Sequence, residues 1–195
     1  MEALRACVAL TLTQGEVRRM RSLTPAALLA VEDGFVVVRR TVAPPRRSFI
    51  LDEAGAGEML LPPTTDEELV ALVPSRVRVL SQAELDHLMS REGAQPILTA
   101  LRSALRRRDE LIARLSNARH IERVRETFLR LARDYGTVDA EGVRIDLPLT
   151  HELLAEMVCS ARETVTRAVD ELEREGFVTR RPGGYRIAVD AELLV

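Results

Sequence analysis

Near the C-terminal end of this chain, Arg162, Glu163 and Arg167 stand in a segment, RETVTRAVDEL, whose period is helical. Val165, Ala168, Val169 and Leu172 recur at spacings of three, four and seven, so they make one apolar stripe. Rotation by the helix period puts Glu163 and Arg167 opposite that stripe, with Thr166 and Asp170 beside them and Arg162 near the helix start. A forked guanidinium can donate two bonds to guanine, and a carboxylate can accept from cytosine. These residue types on a projecting helix are therefore equipped to read base edges in a major groove. The alternative for Glu163 and Arg167 is an ordinary i, i+4 surface pair, worth about a few tenths of a kcal/mol.

Such chemistry needs a second helix to seat the first. Leu153, Leu154, Met157 and Val158 give the preceding segment an apolar side, and Thr150 is suited to cap its first turn. About three residues, around Cys159 to Ala161, are left for the turn, which makes the pair a helix-turn-helix. Downstream, Phe177 to Arg181 and Tyr185 to Val189 flank Pro182-Gly183-Gly184 and read as a wing hairpin. Its Arg180, Arg181 and Arg186 either lie along a phosphate backbone or protect the hairpin edges as solvated charges. Upstream, Ile121 to Asp134 is predicted to be a helix with Val124, Phe128, Leu131 and Ala132 inward, and Asp139 to Leu149 a hairpin turning at Gly142.

The stretch RETVTRAVDELEREGFV, Arg162 to Val178, resembles the recognition helix and following segment of the CRP/FNR family of bacterial transcription regulators. The resemblance implies that Arg162, Glu163 and Arg167 read the bases of a GTG-type half-site and that Thr150 and Thr164 touch phosphates. Thr166, Ser160 and Arg181 complete the expected DNA-binding set. The family's usual turn glycine falls on Cys159 and its usual serine before the arginine on Ala161, so Cys159 is expected to carry backbone strain while packing as a small hydrophobe.

From Ala6 to about Leu85 the chain is short apolar runs broken by turn residues: CVALTL, AALLAV, FVVV, SFILD, MLL, ELVALV and VRVL. Gly15, Gly34, Gly55 and Gly57 mark corners, and Pro44-Pro45 and Pro62-Pro63 punctuate two loops. Spacing near ten residues and β-branched content predict an all-β sandwich or barrel, with AALLAV open to a helical reading as well. Through VEDGFVVVRR and GAGEMLL this region looks like a reduced jelly-roll sensor domain of the same family. In cyclic-nucleotide-binding members the segment like Gly57-Glu58 begins a phosphate cassette whose Glu holds the ribose and whose later Arg pairs with the phosphate. Here Pro62, Pro63, Thr64, Thr65, Asp66, Glu67 and Glu68 follow, with no Arg before Arg76. Those acids are expected to repel a phosphate, cyclic AMP is not expected to bind in the usual way, and Glu58 reads as a surface loop carboxylate.

QAELDHLM is predicted to be a short helix, after which Leu98, Leu101, Leu105, Arg108, Ile112 and Leu115 alternate spacings of three and four. That is a heptad seam, and it calls for either a second copy of the chain or the chain's own β domain. By the resemblance this helix is the dimer interface and also closes the nucleotide pocket with hydroxyl residues, whose positions fall on Arg108 and Asp109. A buried Arg108 is expected to fill that pocket by pairing with an acid of the β domain.

Composition bounds the rest. At 195 residues and 46% hydrophobic content the chain can build two modest cores, and its formal net charge of -2 conceals local clusters, with Asp52, Glu53, Glu58, Asp66, Glu67 and Glu68 in the first half and Arg106, Arg107, Arg108, Arg119, Arg123, Arg125, Arg180 and Arg181 in the second. Two distant cysteines, Cys7 and Cys159, suit a reducing cytoplasm. No apolar run approaches the ~20 residues of a bilayer span. His87, His120 and His151 show no metal spacing, and an iron–sulfur cluster needs about four cysteine ligands, so no cofactor and no enzyme activity are expected. The expected class is α+β: a jelly-roll β sensor-like domain over 1–92, a long dimerisation helix and hinge over 93–117, and a winged helix-turn-helix domain over 118–195. The expected function is a cytoplasmic homodimer that binds double-stranded DNA at a pseudo-palindromic promoter site, as an activator working with RNA polymerase and without cyclic AMP. The alternative is a ligand-sensing module or enzyme whose β domain binds an unrecognised small effector, with DNA binding secondary.

Overall fold

The computed structural model describes residues 7–19, 26–43, 47–116 and 119–188, and the chain divides into two compact units, 1–110 and 111–195. Pro44-Pro45 and the end of the expected wing at Val189 lie outside the described residues.

In the first unit the apolar runs become strands β1 (Val8–Leu12), β2 (Val17–Arg19), β3 (Ala26–Asp33), β4 (Phe35–Val42), β5 (Arg47–Gly55), β6 (Met59–Leu60), β7 (Glu67–Ala71) and β8 (Ser75–Ser81). They form two antiparallel sheets, ordered β1-β8-β3-β6 and β2-β7-β4-β5. Leu12, Leu29, Val31, Leu60 and Val77 of the first meet Val36, Val38, Ala54, Leu69 and Ala71 of the second in one core, as a sandwich requires. The alternate residues of β3 point the other way: Leu28 and Ala30 join Leu80, Leu88 and Ile97 in a second core under the helices. AALLAV is thus strand, and it lacks alternation because both of its faces are buried.

Ser81 starts α1 (Gln82–Glu92) with a capping box, its hydroxyl accepting from Glu84 N–H while the Glu84 carboxylate accepts from Ser81 N–H at 2.7 Å. The long helix α2 (Gln95–Leu115) follows and contains every residue of the expected seam. The seam divides by exposure. Leu98, Leu105 and Ile112 are exposed at every seventh position, whereas Leu101 is half-buried against the chain's own second core.

In the second unit α3 (His120–Tyr135) buries Val124, Phe128, Leu131 and Ala132, as its period predicts. It packs on α5 (Arg162–Arg174) and on a sheet ordered β11-β12-β10-β9. The strands are β9 (Thr137–Asp139), β10 (Gly142–Ile145), β11 (Val178–Arg181) and β12 (Gly184–Ile187), and α4 (His151–Met157) precedes α5. The Phe128 and Tyr185 rings lie 4.9 Å apart in a tilted pair that joins helix to sheet. The upstream hairpin is shorter than its alternation implied, because its second strand stops at Ile145 and Leu147 and Leu149 are buried beyond it. In the wing turn Gly183 has φ +84°, and a Cβ on Gly184 would run into the Ile145 carbonyl, so this Gly-Gly pair is required by backbone geometry.

Candidate nucleic-acid interface

Thr150 caps α4 as expected, its hydroxyl accepting from Leu153 N–H at 3.1 Å, and Leu154, Ala155 and Met157 seat the helix. The chain reverses over Val158 to Ala161, with Ser160 N–H donating to Ala155 O at 3.0 Å. Cys159 takes φ +48°, the one non-glycine residue with positive φ among those described, so the missing glycine leaves the turn's geometry intact at a cost in strain. Its side chain is exposed, not packed as expected. Ala161 gives α5 no side-chain cap, which leaves first-turn N–H groups available to an anion.

Val165, Ala168, Val169 and Leu172 fix the rotation of α5 by burial, and Arg162, Glu163 and Arg167 are consequently exposed. No ion pair among the described residues joins Glu163 to Arg167; Arg167 Nε instead donates to the Glu163 carbonyl at 3.3 Å. The surface-pair alternative therefore does not describe these side chains, which are exposed with no carboxylate–guanidinium pair between them. Thr164 and Thr166 are half-buried. The Thr166 hydroxyl donates to Arg162 O at 3.0 Å and lies 2.8 Å from His151 Nδ1, and Ser160 Oγ lies 3.0 Å from His120 Nδ1. His151 is held below the usual imidazole range by burial first and by nearby Arg180 second.

The wing arginines differ in being committed. Arg180 pairs with Asp170 at 2.6 Å and Glu173 at 3.4 Å, Arg181 pairs with Glu141 at 3.0 Å, and Arg186 pairs with Asp139 at 2.6 Å and also with Glu141. All three are held in intramolecular ion pairs, an arrangement that neither the phosphate-contact nor the solvated-edge expectation described.

In the β domain the expected pocket chemistry is displaced by one residue. Arg107 enters the fold: Nε lies 3.1 Å from Asp52 Oδ1, Nη1 3.1 Å from Glu58 Oε1, and Nη2 donates to Met59 O at 2.9 Å. Arg108 is the more exposed of the two and reaches only to 3.6 Å from Asp52 Oδ2. Burial pushes the Asp52 carboxyl above its ordinary range, and Arg107 opposes that. Glu58 is no free loop carboxylate, since its Oε2 accepts from Gly55 N–H at 2.8 Å. Glu67 and Glu68 belong to β7, where cross-strand register pairs them with Arg40 and Arg39, so they do not face the cavity. That cavity, of about 320 Å³, is lined by Val31, Glu58, Leu88 and Arg107 with the hydroxyl-bearing residues Thr99 and Ser103. Sequence counting put Arg108 and Asp109 in their place. Among the described residues no group of three or more His, Cys, Asp or Glu could hold a metal, and no helix is long and apolar enough to cross a membrane.

Residues 122–194 match the model of the Crp-like helix-turn-helix domain. The chain is 38% identical to the global nitrogen regulator of Synechocystis sp. over 80 residues, 41% of this chain and 35% of that protein. It is 31% identical to the CRP-like cAMP-activated global transcriptional regulator of Mycobacterium tuberculosis over 103 residues, 53% of this chain and 46% of that one. The chain thus spans about a third to a half of the length of the curated relatives it matches. Across nearly the whole chain the fold is shared with TTHB099, a CRP-family transcriptional regulator of Thermus thermophilus (TM-score 0.75, 20% identity, 95% and 94% of the two chains covered). A CooA mutant of Carboxydothermus hydrogenoformans shares it too (TM-score 0.79, 17% identity, 100% and 88%).

Proposed function

We propose, from the premise that the chain is a CRP/FNR-family regulator with a Crp-like helix-turn-helix domain at its C-terminus, that it binds a pseudo-palindromic promoter site as a homodimer without cyclic AMP. The observation that carries this reading is the exposed charge of Arg162, Glu163 and Arg167, joined by no ion pair among the described residues, on a helix whose rotation is fixed by a buried stripe. The two arginines donate to guanine and Glu163 accepts from cytosine, while the uncapped start of α5, with Thr150 and Thr164, takes phosphates. Leu98, Leu105 and Ile112 supply the apolar seam for the second copy. In this proposal 1–92 is the sensor-like domain, 93–117 the dimer helix and hinge, and 118–195 the reader. Activation through RNA polymerase rests on the resemblance to family members that recruit it.

Independence from cyclic AMP is supported by Arg107, whose donors are committed to Asp52, Glu58 and Met59 O. The cavity beside it favours a second reading, in which a small effector binds the β domain and DNA binding is secondary. Selection of random duplexes on the purified protein, with nothing added, tests the proposal. The expected product is a two-fold motif with GTG-type half-sites, on which Arg167→Ala costs about 1–3 kcal/mol and relaxes one base pair. Equal loss on random DNA, or retention only after a small molecule is supplied, would overturn it.

A further inference from the structure

The carboxylates that meet Arg107 are held in place by groups other than Arg107. Asp52 Oδ1 accepts from Glu53 N–H at 2.9 Å, and Glu58 Oε2 accepts from Gly55 N–H at 2.8 Å. The Met59 carbonyl is fixed by the strand it belongs to. The Asp52 side chain is 1% exposed and its Oδ2 has no hydrogen bond, with Arg108 Nε standing 3.6 Å away. Three acceptors are thus organised around one point by the backbone of β5 and β6, and the guanidinium satisfies them through Nε, Nη1 and Nη2. A planar fork with donors on all three nitrogens matches that arrangement, whereas a single ammonium does not.

We propose that Asp52, Glu58 and the Met59 carbonyl form a guanidinium-binding site which the chain fills with its own Arg107, so that this side chain acts as a tethered ligand setting α2 on the β domain. The inference deepens the reading above and rests on it for its consequence: a regulator that carries its own ligand holds its dimer helix in place without an effector. Arg107 lies nine residues from Leu98, half a turn round α2 at about 100° per residue, so the anchored side and the exposed apolar side are opposite. Fixing one presents the other. The cavity of about 320 Å³ next to Arg107 leaves room for a small free guanidinium to reach the same acceptors once the tether is cut.

Chemical rescue tests this on the full chain. Arg107→Ala is expected to lower the thermal midpoint and to weaken binding to the selected duplex by about tenfold or more, within the usual range of coupling between separate sites. Millimolar ethylguanidinium, at constant ionic strength, is expected to restore both, and urea, similar in shape but uncharged, neither. Rescue by urea as good as by ethylguanidinium, or an Arg107→Ala protein that binds like the parent, would overturn the proposal. Arg107→Lys keeps the positive charge beside Asp52 and Glu58 without the fork, and is expected to show weakened duplex binding; parental behaviour from it also counts against a tethered guanidinium. If the parent itself retains no duplex sequence-specifically, the regulator reading fails, while the ethylguanidinium-dependent thermal shift of Arg107→Ala still decides the site.

Discussion

Leu105→Gln is the sharpest test of assembly. On α2 the side chains of Leu98, Leu105 and Ile112 are 51%, 60% and 65% exposed, at positions one heptad apart. Complete burial of a leucine stabilises by about 1.5–3 kcal/mol, so covering the exposed part of Leu105 is worth roughly 1–2 kcal/mol. A two-fold interface counts each residue twice, and Leu105→Gln should weaken the dimer by about 2–4 kcal/mol, roughly thirty- to several-hundredfold in dissociation constant. Sedimentation velocity over a concentration series reads this directly, and duplex binding should acquire a steeper dependence on protein concentration. Leu101→Gln is the control. Leu101 packs against the chain's own core, so its replacement should lower the unfolding midpoint more than it loosens the dimer. An unchanged dissociation constant for Leu105→Gln, or dissociation caused by Leu101→Gln alone, would refute the assignment of faces.

At Cys159, φ +48°, a glycine removes the αL cost at the expense of a freer unfolded chain; Cys159→Gly is expected to stabilise by a net ~0.5–1 kcal/mol in thermal unfolding, and a lowered midpoint would contradict the strain. His151 has its pKa depressed by burial and Arg180, so the folded state binds fewer protons than the unfolded state; its contribution to stability is whole above the ordinary value of 6.5 and is lost as pH falls below it. His151→Gln should flatten that acid loss in denaturant titrations between pH 7 and 5, and an unaltered slope would exclude His151 as its source. Titration calorimetry with cyclic AMP is expected to show no saturable heat, because the cavity arginine is already engaged, and micromolar binding would refute that account.

The second unit was legible because its helices are amphipathic: Val165, Ala168, Val169 and Leu172 announce both the helix and its exposed face, and the buried stripe of α3 does the same. Gly183-Gly184 marked the wing for an equally local reason. What stayed hidden depended on pairing across the chain. AALLAV could not be resolved because Leu29 and Val31 face one core while Leu28 and Ala30 face another, which erases alternation. From the sequence Glu67 and Glu68 are expected to repel a phosphate, and only the register of β7 on β4 shows that they are set against Arg40 and Arg39. Arg107 was missed in favour of Arg108 for a related reason. Adjacent helix positions differ by about 100°, so a count in error by one residue turns a buried guanidinium into a half-exposed one. Both neighbouring arginines look alike in sequence, and only packing distinguishes them.

Commitment, more than location, distinguishes the arginines proposed to read bases from those of the wing. The basic residues of this chain, histidines apart, are all arginine, so basic character by itself marks no surface. Arg180, Arg181 and Arg186 each already hold a carboxylate of the same domain, and a phosphate would have to displace it. For Arg180 and Arg181, whose pairs are exposed, exchanging one anion for another changes little free energy, because such pairs are worth about 0–1 kcal/mol to begin with, whereas the pair of Arg186 with Asp139 is partly buried. Arg162 and Arg167 have no such partner to give up among the described residues, and Glu163 is likewise left to face outward. In the proposed reading the discriminating contacts fall in the first half of α5, whose rotation the buried stripe fixes, and the wing arginines would meet phosphates only by exchanging the carboxylates they hold.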